Sequence, residues 1–171
     1  MSFPRRLRGY AYQTFYRLPL SARRRLVRLV APRYVVGAVA VVRDSESDSP
    51  GRLLLLRQPS HRGWGLPAGL LKKHEHPADG AARELFEETG VRIDPADLTA
   101  GNPNAIVHPV GVVDTVWFGT VPASTTTLTV DGGEILEAGW FAMDDLPRLT
   151  TNTALLLGRY GIGPRAVQQQ P

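Results

Sequence analysis

The first regular spacing of apolar positions lies in SARRRLVRLVAP, where Ala22, Leu26, Leu29 and Val30 fall on one face of a helix that Ser21 would cap and Pro32 would stop. From Tyr34 the period changes. YVVGAVAVV is β-branched and nearly continuous, as expected of a strand covered on both faces. DSESDSPG is a polar turn and RLLLLRQ a second strand, so the two strands are expected to pair as a hairpin. The glycine-rich SHRGWGLPAG then leads to a helix expected from Pro77, suited to a first turn because it lacks an N–H, to Thr89, with Gly90 as the left-handed residue that ends it. Further on, AIVHPVGVVDTVWFGTV reads as a strand pair or one long bent strand, and LTVDGGEILEAGWFAM as two strands around Asp131-Gly132-Gly133. A last helix is expected from Asp144 to about Leu157, followed by a frayed tail. Strands and helices do not alternate regularly, which implies an α/β fold with a mixed sheet between helices.

Charge divides this order in two. Residues 1–33 carry nine arginines (Arg5, Arg6, Arg8, Arg17, Arg23, Arg24, Arg25, Arg28, Arg33) and no acid, so the +4 of the whole chain splits into +9 there and −5 in the rest. The expected organisation is a basic helical extension over 1–33, a domain over 34–158 and a tail over 159–171. The extension's apolar stripe and its aromatics Tyr10, Tyr12, Phe15 and Tyr16 suit packing on the acidic body or on a second subunit, as in a homodimer. A membrane surface is the less favoured partner, and no stable nucleic-acid complex is expected. The absence of cysteine excludes disulfides, thiolate nucleophiles and thiolate metal sites. No apolar run reaches the roughly 18 residues of a membrane span, and MSFPRRLRGYAY lacks the apolar stretch of a signal peptide, so a cytoplasmic location is expected.

Within the expected central helix, RELFEETG sets Glu84, Glu87 and Glu88 on one face, because positions i, i+3 and i+4 fall within an arc of about 100°. Like charges so placed oppose helix formation. A divalent cation among them would reverse that cost, since hard ions such as Mg²⁺ and Mn²⁺ take oxygen ligands. The bland alternative is a solvated acidic helix.

The wider spacing is more specific. From Gly69 to Val91 the chain reads Gly69, five residues, Glu75, seven residues, Arg83-Glu84-Leu85, one residue, Glu87-Glu88, one residue, Gly90-Val91. This pattern resembles the Nudix box at all its defining positions, and the order of elements resembles the Nudix α/β/α sandwich. The resemblance implies a Mg²⁺- or Mn²⁺-dependent pyrophosphohydrolase that cleaves the diphosphate linkage of a nucleoside diphosphate joined to another group: a nucleotide sugar, a dinucleotide or a nucleoside triphosphate. A non-catalytic nucleotide-binding module is the competing class, and modules of that kind typically lose box carboxylates that this chain keeps.

Residue by residue, the resemblance implies that Glu84, Glu87 and Glu88 hold the metal. A carbonyl near Ala68 or Gly69 would add to them, as would a glutamate beyond the box, Glu134 or, preferred, Glu137. It implies that Arg83 orients Glu75 or Glu84, and that Glu84 or a glutamate outside the helix acts as the base. Ala68 stands where relatives commonly have glycine, which would require it to adopt a loop conformation without glycine's freedom. Arg57, Arg62, Lys72 and Lys73 flank the loop and could hold phosphates. His74-Glu75-His76 lacks HExxH spacing and is not read as a zinc site. His61 and His108 read as ordinary polar residues, although His108 or Trp117 could meet substrate. Trp64 and Trp140 read as core. The chain's lack of cysteine disfavours the isopentenyl diphosphate isomerase branch.

Overall fold

The computed structural model describes residues 5–60 and 62–166. His61 and the end of the expected tail lie outside them. The chain divides into two compact units, Met1–Arg33 and Tyr34–Pro171.

The first unit is two helices, α1 (Arg5–Arg17) and α2 (Leu20–Val30). The start of α2 departs from expectation. Pro19 is its N-cap and no side chain caps it, because proline has no side-chain acceptor and Ser21 lies inside the first turn. The end is as expected: Ala31 is extended at φ −74°, ψ 139°, the conformation that a following proline imposes.

The second unit is built on a six-stranded mixed sheet. Its strands are β1 (Val35–Asp44), β2 (Arg52–Arg57), β3 (Ala68–Leu70), β4 (Thr99–His108), β5 (Val112–Val121) and β6 (Glu137–Ala142). The order is β4-β5-β1-β2-β6, and β3 pairs with β1 off this path. β1 lies parallel to β5 along its whole length. Its other edge is shared: Gly37, Ala38 and Val39 pair with β3, and Arg43 with Leu53 of β2. The expected β1–β2 hairpin therefore forms, but the glycine-rich segment inserts β3 beside its open end.

Alternation along β1 and β2 explains the continuous apolar runs. Ala38, Ala40, Val42 and Leu54 face Ala81, Ala82 and Leu85 of α3 (Pro77–Thr89), whereas Val39, Val41, Leu53 and Leu55 face Leu156 and Leu157 of α4 (Thr151–Gly158). Both faces are covered, so both parities must be apolar. This is the expected α/β/α sandwich. Trp64 belongs to the α4-side cluster, 4.4 Å from Phe141 by ring centroid, and Trp140 packs on the α3-side cluster.

Two local expectations are corrected. Only one strand forms in LTVDGGEILEAGWFAM, because the Asp131 carboxylate accepts the backbone N–H groups of Gly133, Glu134 and Ile135 and folds the segment into a turn. The last helix begins at Thr151 and not at Asp144, because Pro147 interrupts the earlier segment and the Thr150 hydroxyl caps the Thr153 N–H.

Candidate active site

α3 matches its sequence signals at both ends. Pro77 opens it behind the His76 cap, and Gly90 closes it in the left-handed region at φ 75° with its N–H on the Phe86 carbonyl. The helix buries Ala78, Gly80, Ala81, Ala82 and Leu85 against the sheet, and burying Glu88 with them is the unusual step. Facing this helix, the glycine-rich loop is pinned on two sides: Gly65 exchanges both backbone hydrogen bonds with Leu56, and Trp64 bridges to the Arg148–Thr150 backbone ahead of α4.

Arg83 organises the acidic face. Its Nε and Nη2 donate to Glu75 at 2.7 and 2.9 Å, its Nη1 to Glu84 at 2.6 Å and to Glu87 at 2.9 Å, and its Nη2 also to the Leu70 carbonyl at 3.1 Å. The Glu75 carboxyl, held first by this guanidinium and then by the Lys72 N–H, falls to about 2. The alternatives for Arg83 thus resolve geometrically into both glutamates at once, with Glu87 added. Lys72 Nζ stands 3.6 Å from Glu87.

Glu88 sits differently. It is 7 % exposed, and it accepts the Ala68 N–H at 2.9 Å and, weakly, Gln58 Nε2 at 3.5 Å. Burial pushes its carboxyl up to about 8, the neighbouring Glu84, Glu134 and Glu87 add to the rise, and the Ala68 N–H opposes it. Close approach explains Gly69, because a Cβ there would collide with the Glu84 carboxylate. Ala68 needs no glycine. It lies in β3, and His74, at φ 67°, is the one non-glycine residue with positive φ among the described residues.

Glu75, Glu84 and Glu87 thus gather against Arg83 and Lys72, while Glu88 is held apart from them by Ala68 and Gln58. As placed, no three acidic or imidazole groups among the described residues converge to hold an ion, since Glu84 and Glu87 are turned to Arg83. The donor chemistry nevertheless fits a hard divalent cation: all oxygen, in excess of local positive charge, and including a buried carboxylate that burial alone would keep protonated.

The loop side opens into a cavity of about 530 Å³, whose lining includes Gln58, Arg62, Ala68, Asp114, Arg148 and Asn152. Ala68 and Gln58 also bond Glu88, so the cavity adjoins the acidic face directly. Arg62, a candidate for holding phosphates, lines it. Arg57 is not among its lining residues: it donates to Glu137 at 3.1 Å, its register partner across β2 and β6. The preferred glutamate beyond the box is therefore paired with an arginine, and the charge of Glu134 adds to the rise at Glu88.

Sequence reading missed Gln58, Asp114, Arg148 and Asn152. Asp114, an acid within the apolar run VVDTVWF, carried a signal. Its carboxylate meets His108 Nε2 at 2.9 Å across β4 and β5, which gives His108 a structural partner. Trp117 packs on the α3-side cluster.

A family model for the NUDIX domain matches residues 33–157. The chain belongs to the Nudix family. It is 47 % identical over 63 residues to a MutT-like protein of Streptomyces ambofaciens, covering 37 % of this chain and 41 % of that protein. It is 39 % identical over 80 residues to a putative 8-oxo-dGTP diphosphatase 3 of Mycobacterium tuberculosis, covering 46 % and 33 %. These matches thus span less than half of the relatives' length. Among solved structures, the MutT NUDIX hydrolase of Burkholderia pseudomallei superposes with a TM-score of 0.56 at 27 % identity, covering 73 % of this chain and 96 % of that one. The Nudix match takes in both the box and the strands that complete the cavity, and it leaves α1 and nearly all of the basic unit outside.

Proposed function

We propose that this Nudix protein is a divalent-metal-dependent pyrophosphohydrolase that cleaves the diphosphate linkage of a nucleoside diphosphate joined to another group. The observation that carries the reading is the junction at Glu88: a buried carboxylate on the acidic face whose hydrogen-bond partners, Ala68 and Gln58, also line the cavity. A nucleoside can occupy the cavity while its diphosphate reaches the carboxylates. The names of the relatives above, a MutT-like protein and an 8-oxo-dGTP diphosphatase, support a nucleotide substrate.

Glu84, Glu87 and Glu88, with the Gly69 carbonyl and Glu134, would hold Mg²⁺ or Mn²⁺. When bound, the ion supplies charge neutralisation of the phosphate oxygens and a lowered pKa for water. The chain's own residues do the rest. Arg83 holds Glu75, Glu84 and Glu87 by hydrogen bonds, and Glu84 and Glu87 would turn from it toward the ion while Glu75 keeps Arg83 in place. Arg62 and Arg148 offer cationic donors at the cavity for phosphate oxygens. Glu84 or Glu134 accepts the proton of the attacking water. Lys72, beside Glu87, offsets charge at the edge of the site.

A screen of nucleotide sugars, dinucleotides and nucleoside triphosphates with Mg²⁺ or Mn²⁺, with products read by mass, tests the proposal. Metal-dependent release of a nucleoside monophosphate is the expected result. Binding of a nucleotide without turnover of any compound would leave the binding-module reading in its place. Glu134→Gln should lower the rate more than Glu137→Gln, because Glu137 is engaged by Arg57; the opposite order returns the role to Glu137.

A further inference from the structure

We propose that the Met1–Arg33 unit is a peripheral anchor for an anionic membrane surface. Its nine arginines have no acid within the unit, so their charge cannot be balanced there. Along α2, with about 100° between successive residues, Leu20, Ala22, Leu26, Val27, Leu29 and Val30 fall on one side with Arg23 among them, and Arg24, Arg25 and Arg28 fall on the other. The C-terminal end of that side is bare: α2 buries none of its residues, and Leu29 and Val30 are 79 % and 75 % exposed. Tyr10, Tyr12 and Tyr16 of α1 are exposed as well. Tyrosine suits the boundary between headgroups and acyl chains, because its ring is apolar and its hydroxyl polar.

Both features require a partner, and few surfaces meet both. Nucleic acid would neutralise the arginines but leave the leucine and valine face in water. Pairing with the same unit of a second copy would cover that face but bring together two segments of +9 with no acid in either. An anionic bilayer accepts the apolar side into its interfacial zone and surrounds the arginines with phosphates. The helices, of 13 and 11 residues, fall short of the roughly 20 needed to cross a bilayer, and no helix among the described residues is long and apolar enough to do so. The anchor therefore lies along the surface.

Flotation of the full-length protein with phosphatidylcholine vesicles, with and without phosphatidylglycerol, tests this. The expected result is binding to the anionic vesicles alone, weakened by salt. Replacing Leu29→Asp together with Val30→Asp should weaken binding by at least about tenfold, without change in melting temperature or oligomeric mass. Arg24→Gln with Arg28→Gln should weaken it too. Failure to float, or equal flotation with neutral vesicles, overturns the proposal. So does undiminished flotation of the double aspartate variant, which would mean a contact by charge alone such as nucleic acid makes. A fall in that variant's melting temperature or a change in its mass would show that protein covers the face, and would restore the packing reading.

Discussion

Glu88 concentrates the conflict between folding and function at the scale of one residue. A carboxylate buried among carboxylates opposes folding, and only the Ala68 N–H and a weak Gln58 contact offset it within the protein. Glu88→Gln should therefore leave the metal-free melting temperature unchanged or raised, while hydrolysis falls by several orders of magnitude. Thermal unfolding and a turnover assay on the same preparation check both, and retained metal-dependent turnover would remove Glu88 from the site. Asp44 shows the reverse arrangement. Its side chain is wholly covered, and it accepts the Ser47 hydroxyl, the Ala123 and Glu46 N–H groups, and Arg52 through Nε and Nη2. The Ser47 hydroxyl first, then the Ala123 N–H, hold its carboxyl far below the usual range. Its folded value is depressed, so its contribution is present above the ordinary 3.8 and lost as the pH falls through the folded value. Asp44→Asn should thus melt lower than wild type at neutral pH, and the gap should narrow in acid. A gap that stays constant down to acid unfolding would contradict this linkage.

At the scale of elements, α3 was legible almost to the residue and α4 was not. Proline at its start and glycine at its end punctuate α3, and its apolar positions keep helical spacing between them. Gly90 adopts a conformation that L-residues avoid, and a Cβ there would lie 3.1 Å from Thr129 Cβ. Gly90→Ala should cost about 1–2 kcal/mol, readable as a lower urea midpoint, with the carboxylates still in place to bind metal. The start of α4 was misjudged because DDLPRLTT offers two caps, an aspartate and a threonine. Proline between them decides in favour of the later one. The lost strand before Asp131 has a similar cause: a side-chain hydrogen-bonding turn competed with β-propensity and won.

At the scale of the molecule, the sheet joins parts of the site that are distant in sequence. Arg57 and Glu137, and Asp114 and His108, meet only because β2, β6, β5 and β4 take the neighbours they do, and Gln58 meets Glu88 because α3 packs on the same sheet. If the acidic face holds an ion, Mg²⁺ or Mn²⁺ should raise the stability of the second unit by mass action, about 2.7 kcal/mol at a hundred times the dissociation constant. Thermal shift across a titration, reversed by chelator and absent in Glu88→Gln, is the measurement; no shift at any concentration would count against the metal.

The helix that bears the glutamates, the order of most strands, the two-sided covering of β1 and the charge contrast of the first 33 residues were legible in the sequence. These rest on period, punctuation and charge, which are properties of neighbours along the chain. It takes the folded chain to establish that Arg83 gathers Glu75, Glu84 and Glu87, that Glu88 is buried and accepts the Ala68 N–H, that Arg57 engages Glu137, and that Arg148 and Asn152 line the cavity. The Arg83 cluster depends on how the chain just before α3 folds back on that helix, and the contacts across the sheet depend on strand pairing and register. A side chain's partners across a sheet depend on which strand lies beside it, and a shift of one residue would turn each of them to the other face.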